Sequence, residues 1–172
     1  EPCDDRKKTL MPITGKFRIV LDQMGVEVRI PQKPMRVISL VPSQTEWLYD
    51  IGLGHCLIGK TRFCVHPKKG LEQALIIGGT KKLHLQRIRE LQPDLIIGNK
   101  EENEKTQIEA LRSEFPVWMS DISTLDEALL MMRQTAEITG QSEMAAPLIE
   151  RIASAFSSLP EKRKGSALYL IW

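Results

Sequence analysis

Residues 36–54, RVISLVPSQTEWLYDIGLG, carry the pattern from which the architecture follows. Arg36 to Val41 is a short apolar run with β-branched residues, bounded by Pro34 and Pro42, and it predicts a buried strand that runs into a loop. A helix follows at once. Ser43 and Glu46 have capping-box spacing, in which the Ser43 hydroxyl accepts from the Glu46 amide and the Glu46 carboxylate accepts from the Ser43 amide. Trp47, Leu48 and Ile51 give the helix an apolar face, and Gly52 or Gly54 is expected to stop it. The carboxyl end of such a strand, beside a polar loop and a helix N-terminus, is where α/β sheets bind ligands.

The flanking sequence repeats this alternation. Upstream, Phe17–Leu21 and Val26–Ile30 alternate around Asp22–Gly25, which predicts a β-hairpin ended by Pro31 and Pro34. Downstream, Cys56–Gly59, Leu75–Ile77, Asp94–Gly98 and Pro116–Met119 read as short strands, and Lys68–Ala74 as a loop with a helical turn. Leu85, Ile88 and Leu91 mark a short helix that Pro93 ends, and further helices are predicted over Asn103–Glu114 and Leu125–Thr139. The unbroken apolar run Leu95-Ile96-Ile97 has the character of a parallel strand covered on both faces. The expected fold is therefore α/β, a Rossmann-like lobe with a mostly parallel sheet flanked by helices.

A long helix is predicted from Ser142 to about Leu159, spanning roughly 26 Å, with Pro147 early enough to cause only a local bend. Lys162–Gly165 then turns the chain into the apolar Ala167–Trp172, expected to be the first strand of a truncated second lobe. Unpaired, such a strand favours self-association. Residues 1–15 carry charge and prolines without periodicity and are expected to be disordered or tag-adjacent. The expected division is thus 1–15, a lobe over 16–141, a helix over 142–163 and a strand over 164–172.

With 24 basic and 22 acidic residues among 172, the chain has a formal charge of +2, which argues against a dedicated nucleic-acid surface. Arg6-Lys7-Lys8 and Lys162-Arg163-Lys164 read as solvated chain ends. No run approaches the roughly 18 apolar residues of a membrane span, and the first ten residues lack the apolar core of an export signal. Three cysteines cannot all pair internally, so the redox compartment stays open.

The run RVISLVPSQTEWLYDIGL, followed in order by GKTRFCVHP (59–67), IGGTKK (77–82), LQRIRELQPDLIIG (85–98) and EEN (101–103), resembles the first lobe of helical-backbone metal receptors. These are the substrate-binding proteins of ABC importers for vitamin B12, iron siderophores and haem, and the resemblance covers roughly Phe17 to the chain end. It implies that the long helix joins two lobes with little hinge motion. The ligand would be a corrinoid or iron chelate, no intrinsic cofactor is implied, and the partner would be an ABC permease. The implied placement is periplasmic or cell-surface after removal of an export signal, while a cytoplasmic one stays open.

The resemblance puts the loops Ser43–Glu46, Arg62–His66, Thr80–Lys82 and Asn99–Asn103 on one wall of the ligand cleft, with Ser43, Gln44, Thr45, Phe63, His66, Thr80 and Asn99 as candidate ligand-binding residues. Phe63 and His66 match aromatic positions of cobalamin-binding members, whereas Thr80 and Asn99 stand where those members have tryptophans. Most of that aromatic cradle is therefore missing, which favours a generic chelate over B12. Gln86 stands where the family has a glutamate that docks on a permease arginine. It can hydrogen-bond but supplies no charge, so the neighbouring Glu90 is the alternative docking residue.

Three rival readings draw on the same residues. His55-Cys56 and Cys64-x-His66 could offer soft metal ligands, but their spacing matches no standard zinc pattern. His66 could instead bind the metal of a ligand axially. No G-x-G-x-x-G, P-loop, G-x-S-x-G or H-E-x-x-H motif is present, so a nucleotide-binding enzyme has no named catalytic group. A sensory or protein-interaction lobe of the same fold, without transport, is the remaining alternative.

Overall fold

The computed structural model describes residues 16–160, 165–166 and 168. The expectations for residues 1–15 and for the terminal strand lie outside the described residues, apart from Leu168, which is exposed.

Strands β1 (Phe17–Leu21) and β2 (Glu27–Pro31) form the expected antiparallel hairpin, with Phe17 opposite Pro31 and Leu21 opposite Glu27. Its turn is built on Asp22, whose buried carboxylate accepts from the amides of Met24 at 2.9 Å and Val26 at 2.8 Å and also pairs with Arg112. The organising strand β3 (Val37–Ser39) lies at the centre of a five-stranded parallel sheet. The others are β4 (Leu57–Lys60), β5 (Leu75–Ile76), β6 (Leu95–Asn99) and β7 (Val117–Ser120), in the order β5-β4-β3-β6-β7. The chain builds from β3 to one edge, then returns to the other side of β3 and continues to the opposite edge. The winding therefore reverses between β3 and β6, and a crevice opens there at the strands' carboxyl ends.

Five helices connect and cover the sheet: α1 (Pro42–Leu48), α2 (Leu85–Leu91), α3 (Lys105–Arg112), α4 (Leu125–Ile138) and α5 (Ser142–Ser157). Side chains on successive strand residues enter opposite layers. Val37, Leu95, Ile97 and Trp118 pack with the hairpin, α1, α4 and α5, whereas Ile38, Ile96, Val117 and Met119 pack with α2 and α3. The run Leu95–Gly98 of β6 is apolar without interruption because both of its faces are covered. Trp118 is fully buried and donates its indole N–H to the Leu21 carbonyl at 3.1 Å, which ties the hairpin to the sheet.

The capping box expected at Ser43 and Glu46 is not formed. Pro42 occupies the first helical position, so the extended Val41 becomes the N-cap and Ser43 lies already inside the helix. A proline lacks the N–H that the first turn would leave unpaired, and its fixed φ suits helix entry. The capping box of this protein is at α4, where the Thr124 side chain accepts from the Glu127 amide at 3.3 Å and Glu127 accepts from the Thr124 amide at 2.8 Å. Gly52 does end the first helix. It adopts φ 91° within a wider turn over Tyr49–Leu53. Lys68–Ala74 forms only a hydrogen-bonded turn, Ala74 N–H to Leu71 O at 3.1 Å, and no helix. The long helix is continuous through Pro147 and buries Ala145 and Ile149, while Phe156 and Leu159 at its far end stay exposed.

Candidate functional site

Four loops converge at the carboxyl ends of β3, β4, β5 and β6, beside the reversal of winding. Val41, Pro42, Ser43, Phe63, Thr80 and Glu102 line a groove of about 430 Å³ there. Val41 and Pro42 enter because the chain leaves β3 extended and turns directly into α1. Ser43 is exposed on the first turn of that helix.

Phe63 is held outward by its neighbours. Cys64 turns into the protein, with its sulfur 3.0 Å from Thr45 Oγ1 and 3.1 Å from Thr61 Oγ1, and the Arg62 N–H donates to the Gly78 carbonyl at 2.8 Å. Between these anchors the Phe63 ring is 53% exposed, large for an aromatic side chain that nothing requires at the surface. It lies so close to the backbone of Gly79 that a Cβ there would stand 3.1 Å from Cε2 of the ring. The Arg62 guanidinium lies 5.8 Å from the ring centroid.

Two asparagines shape the third side. The Asn103 side chain, buried, accepts from the Asn99 amide at 2.9 Å and donates to the Thr80 carbonyl at 3.1 Å, so one amide group joins the loops after β5 and β6. The Asn99 side chain accepts from the amides of Glu101 at 2.9 Å and Glu102 at 3.1 Å, which bends the loop back and brings Glu102 to the groove. Gly98 makes this possible, since a Cβ there would lie 2.6 Å from Asn103 Oδ1. Next to this loop, Glu104 caps α3. The Thr106 hydroxyl and the amides of Gln107 and Thr106 hold its carboxyl below the usual range, with help from Lys81. On the other flank Lys100 pairs with Asp121 at 2.6 Å, which raises the Lys100 ammonium.

Of the seven residues expected on the wall, the structure brings Ser43, Phe63 and Thr80 together. Gln44 and Thr45 are 2% and 0% exposed and point away from the groove. Gln44 donates to Ser120 Oγ at 2.6 Å, and Thr45 donates to Ser39 Oγ at 2.8 Å. Asn99 acts through its loop rather than as lining, and the exposed His66 lies outside the groove lining. Among the described residues no group of three or more His, Cys, Asp or Glu could hold a metal ion, and Cys56 is packed in the core, where burial pushes its thiol up. Val41, Pro42, Glu102 and Asn103 were not singled out by residue type. Their signal is position, two to four residues past the end of β3 or β6. Gln86 and Glu90 lie together on the exposed face of α2, Nε2 to Oε1 3.4 Å.

The arrangement offers an aromatic face, two hydroxyls, a carboxylate and a small apolar floor. Such a surface can stack against and hydrogen-bond a ligand.

Residues 37–166 match the family model for periplasmic binding proteins. The chain is 36% identical over 126 residues to the vitamin B12-binding protein of Pectobacterium carotovorum subsp. carotovorum, a match that covers 72% of this chain and 43% of that protein. It is 23% identical over 169 residues to the uncharacterized ABC transporter substrate-binding lipoprotein YvrC of Bacillus subtilis, covering 95% of this chain and 53% of the relative. The crystal structure of the periplasmic vitamin B12 binding protein BtuF of Vibrio cholerae superposes with a TM-score of 0.67 at 26% identity, over 74% of this chain and 50% of that one. The chain thus spans about half the length of the curated relatives it matches.

Proposed function

The chain belongs to the periplasmic binding protein family, and on that premise we propose that it forms the N-terminal lobe of the substrate-binding component of an ABC importer. The ligand captured between two lobes is a metal chelate, either a cobalamin-like corrinoid or an iron chelate such as a siderophore or haem. The observation that carries this reading is the groove at the winding reversal, with the exposed Phe63 ring beside the hydroxyls of Ser43 and Thr80. A large ligand with flat apolar faces and polar edges is suited to such a surface. The protein binds its ligand without converting it. The cargo carries its own metal, and the chain contributes surface rather than ligating side chains.

Residues 16–141 are the lobe, and α5, within 142–163, is the backbone helix that continues toward the second lobe. The exposed Phe156 in its last turn and Leu159 just past its end support this reading. The permease docks on the α2 face that carries Gln86 and Glu90, with Glu90 supplying the charge that Gln86 lacks. The placement is periplasmic or cell-surface, as it is for the relatives described as a lipoprotein and a periplasmic protein.

Titration of this chain with cyanocobalamin, haemin and a ferric siderophore, followed by absorbance and heat, tests the reading. One of them is expected to saturate one-to-one with a Kd weaker than about 1 µM, because an open groove buries only one face of the ligand. Phe63→Ala should weaken that complex by about threefold to tenfold, the usual worth of an aromatic stack. Failure of all three ligands to saturate overturns the proposal.

A further inference from the structure

Among the described residues that line the groove, Glu102 alone is charged. Its place is set by the backbone. The amides of Glu101 and Glu102 both donate to Asn99 Oδ1, and Asn103 fixes the far end of the same loop to Thr80. Glu102 therefore lines the same groove as Phe63, on a loop whose backbone is held by its own hydrogen bonds.

The cations at the edge of the groove have partners other than the Glu102 carboxylate. The Lys81 ammonium donates to the Glu101 carbonyl, Lys100 pairs with Asp121 at 2.6 Å, and Arg62 lies beside the Phe63 ring. None of the three lines the groove, and Glu102 makes no salt bridge among the described residues. A carboxylate is an acceptor only, and it rejects a second anion brought against it.

We infer that Glu102 sets the charge class of the ligand. The groove selects a neutral or cationic chelate that presents N–H donors, and it disfavours chelates whose edges carry carboxylates or other anionic groups. This inference rests on the binding function proposed above and narrows it. Two chemistries fit: a corrinoid with primary-amide side chains, and a ferric hydroxamate with an amide or ammonium group. Haem, with its propionates, and ferric tris-catecholates do not fit.

The test is a competition panel on this chain with cyanocobalamin, ferrioxamine B, haemin and a ferric tris-catecholate, repeated with Glu102→Gln and Glu102→Lys. Glu102 is exposed, and circular dichroism will verify that both variants fold. The unsubstituted chain should bind one of the first two more tightly than either anion. Glu102→Gln should reduce that preference by about threefold to tenfold, the scale of one charge-assisted hydrogen bond near a surface, and Glu102→Lys should reverse it. Preferential binding of an anionic chelate, or a preference that neither variant changes, overturns the inference while leaving the binding function intact. Absence of binding by all four probes overturns both.

Discussion

Asn103 shows how much of the groove depends on a single side chain. One amide satisfies the Asn99 N–H and the Thr80 carbonyl, groups that belong to loops after different strands. Asn103→Ala leaves both without this partner and should lower the free energy of unfolding by about 1–3 kcal/mol. Asn103→Asp keeps the acceptor toward Asn99 but sets a carboxylate oxygen against the Thr80 carbonyl and buries a charge. It should therefore cost at least as much as Asn103→Ala in urea denaturation at neutral pH, and a clearly smaller loss than that of Ala would contradict the clamp. Gln44 and Thr45 belong to the same scale. They look like groove residues in the sequence because they are polar and follow the first strand, yet a helix that begins at Pro42 turns them inward, where they bond Ser120 and Ser39.

At the scale of elements, the ends of helices and strands do more than their interiors to shape the groove. Gly78 follows the edge strand β5 with φ 114°, a backbone conformation that favours glycine, and a Cβ there would overlap the Lys82 carbonyl oxygen. Gly78→Ala must move the turn that seats Phe63. It should cost about 1–3 kcal/mol of stability, read as a lowered urea midpoint, together with weaker ligand binding. Thr124→Ala removes the capping box of α4, which is no part of the groove lining, and should cost about 1 kcal/mol while leaving binding unchanged. A binding loss in that variant would imply coupling that the packing gives no reason to expect. The helices themselves follow the spacing of their apolar residues. The start of α1 departs from it because proline chemistry overrides the serine cap.

At the scale of the whole molecule, acid stability follows from exposed carboxylates whose partners are on other elements or in caps. Arg89 hydrogen-bonds Glu114 and holds its carboxyl below the usual range. The Thr106 hydroxyl does the same for Glu104, and the Ser123 amide for Glu127. In each case the folded state binds its proton less readily than the unfolded chain. The stabilisation is complete above the ordinary carboxylate range and is lost as pH falls through the depressed folded values. Thermal melting should accordingly be flat above about pH 5 and decline toward about pH 3, and a rise in melting temperature on acidification would contradict these pairings. The order of strands and helices, and the parallel character of Leu95–Ile97, were legible in the chain because apolar periodicity is a local consequence of which faces are covered. The family, too, could be read from motifs in order. What no local pattern contains is the meeting of Ser43, Phe63, Thr80 and Glu102 in one groove, or the burial of Gln44 and Thr45 away from it. That juxtaposition depends on strand order, on the reversal of winding between β3 and β6, and on long-range hydrogen bonds such as Asn103 to Thr80. These are set when the layers pack, not when each element forms.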